Sequence, residues 1–382
     1  MKILFIGARL FDDVAIYNKK NSITSIITES TTNSPNLELA DSHHIVPRGM
    51  DGPMEIAIKE DVDGVVPLIG IDGPLVEVAI MKENLETEYG IPVAAAGVHA
   101  ASICAKKYKT KEFLIKNNIN TPKCFKISKN NHEVLNGQNI NKIPLVLKQD
   151  EGQGGFGINI VSSKEKIEEY FMEYETAMAE KFIEGPEVSI EILRWKGKSV
   201  PLVPVYKGET TLEGIHPLKK IKKAPLELDG INNTKNNKQI QDIAVKIADS
   251  MGLEGTADID IIFDPETNEN KVIEINARPS GTRYITYAAT NVNIMHELIN
   301  MASGKWDALK LKNRIKDYSG IEIPVGNYPS NKNNYKFREI SHETPWLIHG
   351  PPNHERITVR GETIGAAVNI AEKLEILEKN SI

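Results

Sequence analysis

The chain has 382 residues, 40% hydrophobic and 26% charged, which is the composition of a globular protein long enough for two or three domains. Its net charge of −6 gives no electrostatic case for nucleic acid as a partner. Cys104 and Cys124 form no C-x-x-C, so a reducing cytoplasm fits best, and no apolar run approaches a membrane span. "KILFIG", Lys2 to Gly7, is a continuous apolar run closed by glycine, the pattern of a buried parallel strand. "SITSIITES" and "HHIVP" read as further short strands, and "DGVVPLIG", Asp63 to Gly70, as another. "GPLVEVAIMKENLETEYG" reads as a helix stopped by Gly90. "IPVAAAG" is expected as a last strand and "VHAASICAKKYKTKEFLIKNN" as one amphipathic helix. This alternation predicts an open parallel α/β sheet over residues 1–102. "GARLFD" carries a single glycine, so this domain is not expected to bind a dinucleotide. It either holds a small substrate or is architectural.

After "NINTPK" the texture changes to strands with short connections and period-2 alternation: "PLVLKQ", "GINIVSS", "AMAEKFI", "EVSIEILRW", "VPLVPVY" and "ADIDIIFD". "KEKIEEYFMEY" and "NKQIQDIAVKIADSMG" are helical patterns among them. Together they predict an antiparallel α+β region. The lysine cluster in "HPLKKIKKAP" reads as a solvated face or loop. "SNKNNYKF" reads as an exposed loop, and the tail "ETIGAAVNIAEKLEIL" as a closing helix. The nine histidines include no H-E-x-x-H, which argues against a zinc enzyme.

The stretch "LKQDEGQGGFGINIV" places Gly152, Gly154 and Gly157 as G-x-G-x-x-G. A dinucleotide fingerprint needs a helix after its last glycine, but here "INIVSS" is strand material. The loop therefore joins two strands as a hairpin, able to offer backbone N–H groups to a triphosphate. No G-K-[ST] closes this glycine loop, the G-K-S at Gly197 to Ser199 has no glycine five residues before it, and there is no H-R-D and no D-F-G, which excludes the Walker A loop and a protein kinase. Before the hairpin, Lys148 stands on a strand among apolar neighbours, where an ammonium must be paired or solvated. Downstream come "AEKFIEGPEVSIEI" and "GTADIDIIFDPETNENKVIEINARPSGTRY". The second reads as a hairpin, with Asp260 on one strand opposite Glu274 and Asn276, which share a face on the other. Asp258 shares the face of Asp260 and is an alternative ligand. Hard oxygen donors of this kind suit Mg²⁺.

In this order of motifs the sequence resembles the ATP-grasp superfamily, in its carbamoyl-phosphate-synthase-like branch. The resemblance spans the N-terminal sheet to about residue 285. It implies an N-terminal α/β domain (1–102), an ATP-grasp domain of two α+β lobes (103–185 and 186–310) and a C-terminal extension (311–382). It implies ATP and Mg²⁺ as cofactors, with Mn²⁺ an alternative. Lys148 and Lys107 would reach the ATP phosphates, although the usual Asp-Lys is Lys106-Lys107 here. Gly154, Gly155 and Gly157 would form the lid. Glu180 and the backbone of Phe182 and Ile183 would meet adenine, and Glu187 the ribose. Asp260, Glu274 and Asn276 would hold the metal, with Asn276, Lys148 and Arg278 serving phosphoryl transfer. His216, Ser280 and Arg283 are candidates for the substrate.

The activity so implied is joining a carboxylate to an amine through an acyl phosphate, on small amino-acid-like substrates. Phosphorylation of bicarbonate or carbamate is the alternative, and a non-catalytic nucleotide-binding protein is a third. A homodimer is compatible with each.

Overall fold

The computed structural model describes residues 1–131, 144–152, 155–214, 219–326, 339–351 and 353–376. Lys2–Ile6 (β1), Thr24–Glu29 (β2), Ser42–Ile45 (β3) and Gly64–Pro67 (β4) pair in parallel in the order β3-β2-β1-β4. β4 is buried along its whole length, hence its unbroken apolar run. Ala15–Lys20 (α1), Asp51–Lys59 (α2) and Leu75–Glu88 (α3) are the accompanying helices. "IPVAAAG" does not become a fifth strand. It makes one bridge, Val65 to Val93, because Pro92 has no N–H to extend the ladder.

The long helix expected after it is broken into Val98–Cys104 (α4) and Lys107–Lys116 (α5). Lys106 between them is extended, with φ −130° and ψ 117°. The Lys107 N–H donates to the Asp150 carbonyl at 3.0 Å, and the Tyr108 N–H to the Asp150 carboxylate at 2.9 Å. The start of the glycine loop, just past the strand, thus satisfies donors that begin α5.

Cys124–Ser128 (β5), Leu145–Lys148 (β6), Ile158–Val161 (β7) and Thr176–Lys181 (β8) form an antiparallel sheet ordered β5-β8-β6-β7. β6 and β7 flank the glycine loop as a hairpin, as their alternation predicts. Lys164–Glu173 (α6), capped by the Ser163 hydroxyl, packs Ile167, Tyr170 and Phe171 onto Leu145, Leu147 and Ala179.

Eight strands make the third sheet. They are Gly185–Trp195 (β9), Lys198–Thr210 (β10), Lys222–Ala224 (β11), Gly255–Asp264 (β12), Glu269–Asn276 (β13), Ser319–Gly326 (β14), Trp346–His349 (β15) and Glu355–Gly361 (β16). Their order is β13-β12-β9-β10-β11-β14-β16-β15, so the strands after residue 310 continue the sheet that carries the predicted metal hairpin. Asn233–Ser250 (α7) packs Ile240, Ala244 and Ile247 against Val188, Ile190, Ile192, Ile259 and Ile261. With period 2, the other face of the sheet receives Glu187, Ser189, Glu191, Asp258 and Asp260. Arg283–Thr290 (α8), Ile294–Ala302 (α9), Ala308–Arg314 (α10) and Ile364–Lys373 (α11) complete the described elements.

Two of the lysines in the cluster are not on a solvated face, whereas Lys219 is exposed. Lys220 and Lys222 are buried, paired with Glu187 at 3.2 Å and Glu322 at 2.6 Å. β11 runs between two other strands, so its inward Lys222 must find a carboxylate, and Lys220 just before it does the same. "SNKNNYKF" lies outside the described residues.

Candidate active site

Lys148 on β6 points its ammonium at Glu180 on β8, with Nζ 2.7 Å from Oε1. Lys111 on α5 meets the other oxygen at 2.6 Å. All three side chains are buried. Burial alone would raise the Glu180 carboxyl, but Lys111 and Lys148 hold it below its ordinary value. Glu180, the residue expected to accept from adenine, shares its carboxylate between these two ammoniums. Lys111 escaped the sequence reading, although it stands one helical turn from Lys107. Lys107 reaches the Gly152 carbonyl at 2.6 Å and Glu274 at 3.3 Å, linking the glycine hairpin to the metal hairpin.

Gly155 and Gly157 take φ of +87° and +65°, a region open to glycine and strained for other residues. Gly154 and His216 lie outside the described residues. Phe182 and Ile183 follow β8 directly and are buried; the Phe182 N–H lies 3.4 Å from the Pro144 carbonyl. Glu187 accepts from the Thr210 hydroxyl at 3.1 Å and faces Lys220.

On β12 and β13 the register sets Asp260 opposite Glu274 and Asp258 opposite Asn276. The two aspartates have different surroundings. Asp258 is buried and takes hydrogen bonds from the Ser189 hydroxyl and, at 2.8 Å, from the Ser280 hydroxyl. Burial and the charge of Asp260 push its carboxyl up to about 6. Asp260 is partly open and faces Lys207 at 2.5 Å. Burial works against the Lys207 charge, but Asp260, Asp258 and Glu187 outweigh it and hold the ammonium above its ordinary value. The donor set of Asp260, Glu274 and Asn276 is two carboxylates and an amide oxygen from facing strands. That set fits Mg²⁺, which takes few carboxylates and keeps places for phosphate and water. Among the described residues there is no cluster of three His, Cys, Asp or Glu side chains that could hold a metal.

Arg278 forks onto Asp72, with Nη2 3.2 Å from Oδ2 and Nε on Oδ1, and approaches Asn276 Oδ1 at 3.4 Å. Ser280 is buried in the network of Asp258 and Thr282. Arg283, expected to face a substrate carboxylate, lines the cleft at this turn and is also bonded within the protein. It donates to Asp13 at 3.0 Å, the Ser280 carbonyl at 2.8 Å and the Tyr284 hydroxyl at 2.7 Å. These bonds fix the turn at Pro279–Gly281 against the N-terminal sheet. Beside that turn opens a cleft of about 570 Å³. Arg9, Asp12 and Asn36 line one wall; Tyr284, His349 and Arg356 line the other.

A glycine hairpin in one sheet and an acid-and-amide hairpin in another, bridged by Lys107, is the arrangement of an ATP-dependent ligase of the ATP-grasp class. The profile of the family "Carbamoyl-phosphate synthase L chain, ATP binding domain" matches residues 106–310. A protein named carbamoyl-phosphate synthase from Methanobrevibacter smithii is 46% identical over 95% of this chain and 97% of its own length. The carbamoyl phosphate synthase large chain of Thermoplasma volcanium is 25% identical over 75% of this chain, and the match takes in 28% of that large chain. Among solved structures, the biotin carboxylase domain of 2-oxoglutarate carboxylase from Hydrogenobacter thermophilus aligns with a TM-score of 0.75 and 19% identity, over 99% of this chain and 90% of that one. The chain belongs to the ATP-grasp ligases, in the carbamoyl-phosphate-synthase-like branch. It is an ADP-forming enzyme with ATP and Mg²⁺ as its cofactors.

Proposed function

We propose that the protein joins a small carboxylic acid to the amino group of an amino-acid-like substrate through an acyl phosphate. The observation that carries this reading is the cleft of about 570 Å³ beside Pro279–Gly281. Its size suits an organic molecule, whereas bicarbonate would fill a small part of it.

Lys148 and Lys107 are assigned to the ATP phosphates, with the glycine hairpin above them. The backbone of Phe182 and Ile183 is assigned to the adenine edge, and Glu187 to the ribose hydroxyls. Asp260, Glu274 and Asn276 would hold Mg²⁺, which neutralises phosphate charge. An oxygen of the acid attacks the γ-phosphorus, the bond to the bridging oxygen breaks, and ADP leaves. The amine nitrogen then attacks the acyl carbon, phosphate leaves, and the nitrogen releases its proton to water. Arg278, a planar fork, is assigned to the transferred phosphoryl oxygens after letting go of Asp72. Preorganised charge does most of the work, and the lid excludes the water that would hydrolyse the intermediate.

Bicarbonate phosphorylation is the second reading, favoured by the name of the Methanobrevibacter relative. The test is ADP release from Mg²⁺-ATP with amino acids, small carboxylates and bicarbonate, singly and in pairs. ADP that needs both an acid and an amine supports the ligase. ADP with bicarbonate alone replaces it with the second reading.

A further inference from the structure

One wall of the cleft comes from the last strands of the chain, which no motif addressed. Glu322 on β14 is fully buried. It pairs with Lys222 at 2.6 Å, Arg356 at 3.1 Å and His349 at 3.2 Å, and the Thr358 hydroxyl lies 3.4 Å away. Burial opposes its charge, but Lys222, Arg356 and His349 hold the carboxyl well below the usual range. Lys222 and Arg356 alone bring two positive charges to one carboxylate. A buried excess of positive charge favours a further anion.

Arg356 is where that anion would bind. Its side chain is 7% exposed, lines the cleft, and its Nε has no hydrogen-bond partner among the described residues. Gly281 lies beside it with bare backbone; a Cβ there would stand 4.0 Å from Arg356 Nη2. Arg9 and Asp12 on the facing wall add a cation and an acid, so the cleft complements a zwitterion.

We propose that Arg356 receives a carboxylate that does not react: the α-carboxylate of an amino acid whose amino group is the acyl acceptor. This rests on the ligase reading and narrows its amine to amino acids. Glu274, Asn276 and Arg278, assigned to phosphoryl transfer, precede the Pro279–Gly281 turn, whereas Arg356 lies beyond it on a separate strand. A guanidinium fork on the attacking carboxylate would also withdraw the negative charge that the attack needs. On the α-carboxylate it has no such effect.

The test is calorimetric binding to the full chain without nucleotide. The probes are glycine, L- and D-alanine, L-glutamate, L-lysine and L-phenylalanine, each beside its carboxamide, and the same probes are run for ADP release with acetate and with one another. At least one amino acid should bind about tenfold more tightly than its carboxamide. Arg356→Gln should bring the acid down to the level of the amide and leave the amide unchanged. Because Arg356→Gln also disturbs Glu322, Gly281→Leu serves as a second variant, filling the cleft beside Arg356 while keeping every charged group of the cluster; it should weaken the same probe. Equal binding of acid and amide, wild-type affinity in both variants, or binding by no probe overturns the proposal. Binding that depends on Arg356 with no ADP from any pair keeps the receptor and removes the ligase. ADP from a pair with affinity unchanged in Arg356→Gln keeps the ligase and removes the receptor.

Discussion

Glu180 lies between two ammoniums, Lys148 at 2.7 Å and Lys111 at 2.6 Å, and the three are buried together. Removing the shared carboxylate strands two cations. Glu180→Ala is therefore expected to lower the unfolding free energy in urea by roughly 3–5 kcal/mol. Lys148→Met leaves Lys111 to balance Glu180, so it should cost clearly less stability while abolishing ADP formation. Because the folded carboxyl is held below its ordinary value, its contribution is present above the unfolded pKa of about 4.3 and lost as pH falls through the folded value. The stability gap between wild type and Glu180→Ala should hold from pH 7 to about 5 and narrow only below about 4. Urea titrations at stepped pH check the sign. Glu274 is a different case: its side chain is 29% exposed and its recorded ion pair is with Lys107. Glu274→Ala should abolish ADP formation with little change in the urea midpoint, since Glu274 is partly solvated and Lys107 keeps the Gly152 carbonyl as a partner. Turnover near wild type would remove Glu274 from the metal set.

At the scale of elements, the two hairpins were legible in the sequence and the broken helix was not. Glu274 and Asn276 are two apart at the end of β13, beyond the register shift after Asp260, so they fall on one face by local geometry alone. The glycine hairpin was recognisable because "INIV" could not start a helix. The break at Lys106 depends on Asp150, more than forty residues away in sequence, and no local pattern carries that information. The same applies to Lys207, which meets Asp260 from β10. Within the glycine hairpin, Gly157 has φ +65°, and a Cβ there would come 2.5 Å from Gln149 Cγ. Gly157→Ala should strain the hairpin by about 1 kcal/mol or more. If the hairpin covers the phosphates, that strain appears as a several-fold higher KM for ATP with a nearly unchanged melting temperature. An unchanged KM would dissociate the hairpin from nucleotide binding.

At the scale of the molecule, side chains tie the N-terminal sheet to the turn beside the cleft. Arg278 binds Asp72 across 206 residues of sequence, and Arg283 binds Asp13 across 270. Such partners cannot be read from spacing, so neither the Asp13 pairing of Arg283 nor the place of Asp72 is legible in the sequence. The C-terminal segment carries the same lesson. As a sequence it followed the last recognised motif and looked appended. In the fold, β14 pairs with β11 and β16, and its Glu322 neutralises the buried Lys222. Ile321, Ile323, Ile357 and Val359 form a core with Ala367 and Ala371 of α11, while Leu347 covers Tyr284 and Ala288 of α8. A chain ending at residue 318 would expose that face of α8, leave Lys222 without its carboxylate, and turn β11 into an edge strand. The losses reach the turn that carries Ser280, so they are not confined to the tail. The truncated chain is expected to lose its cooperative urea transition rather than shift it. A sharp transition with an m-value reduced only in proportion to the missing length would instead make the segment an independent addition, and the wall it gives the cleft would then be separable from the ATP site.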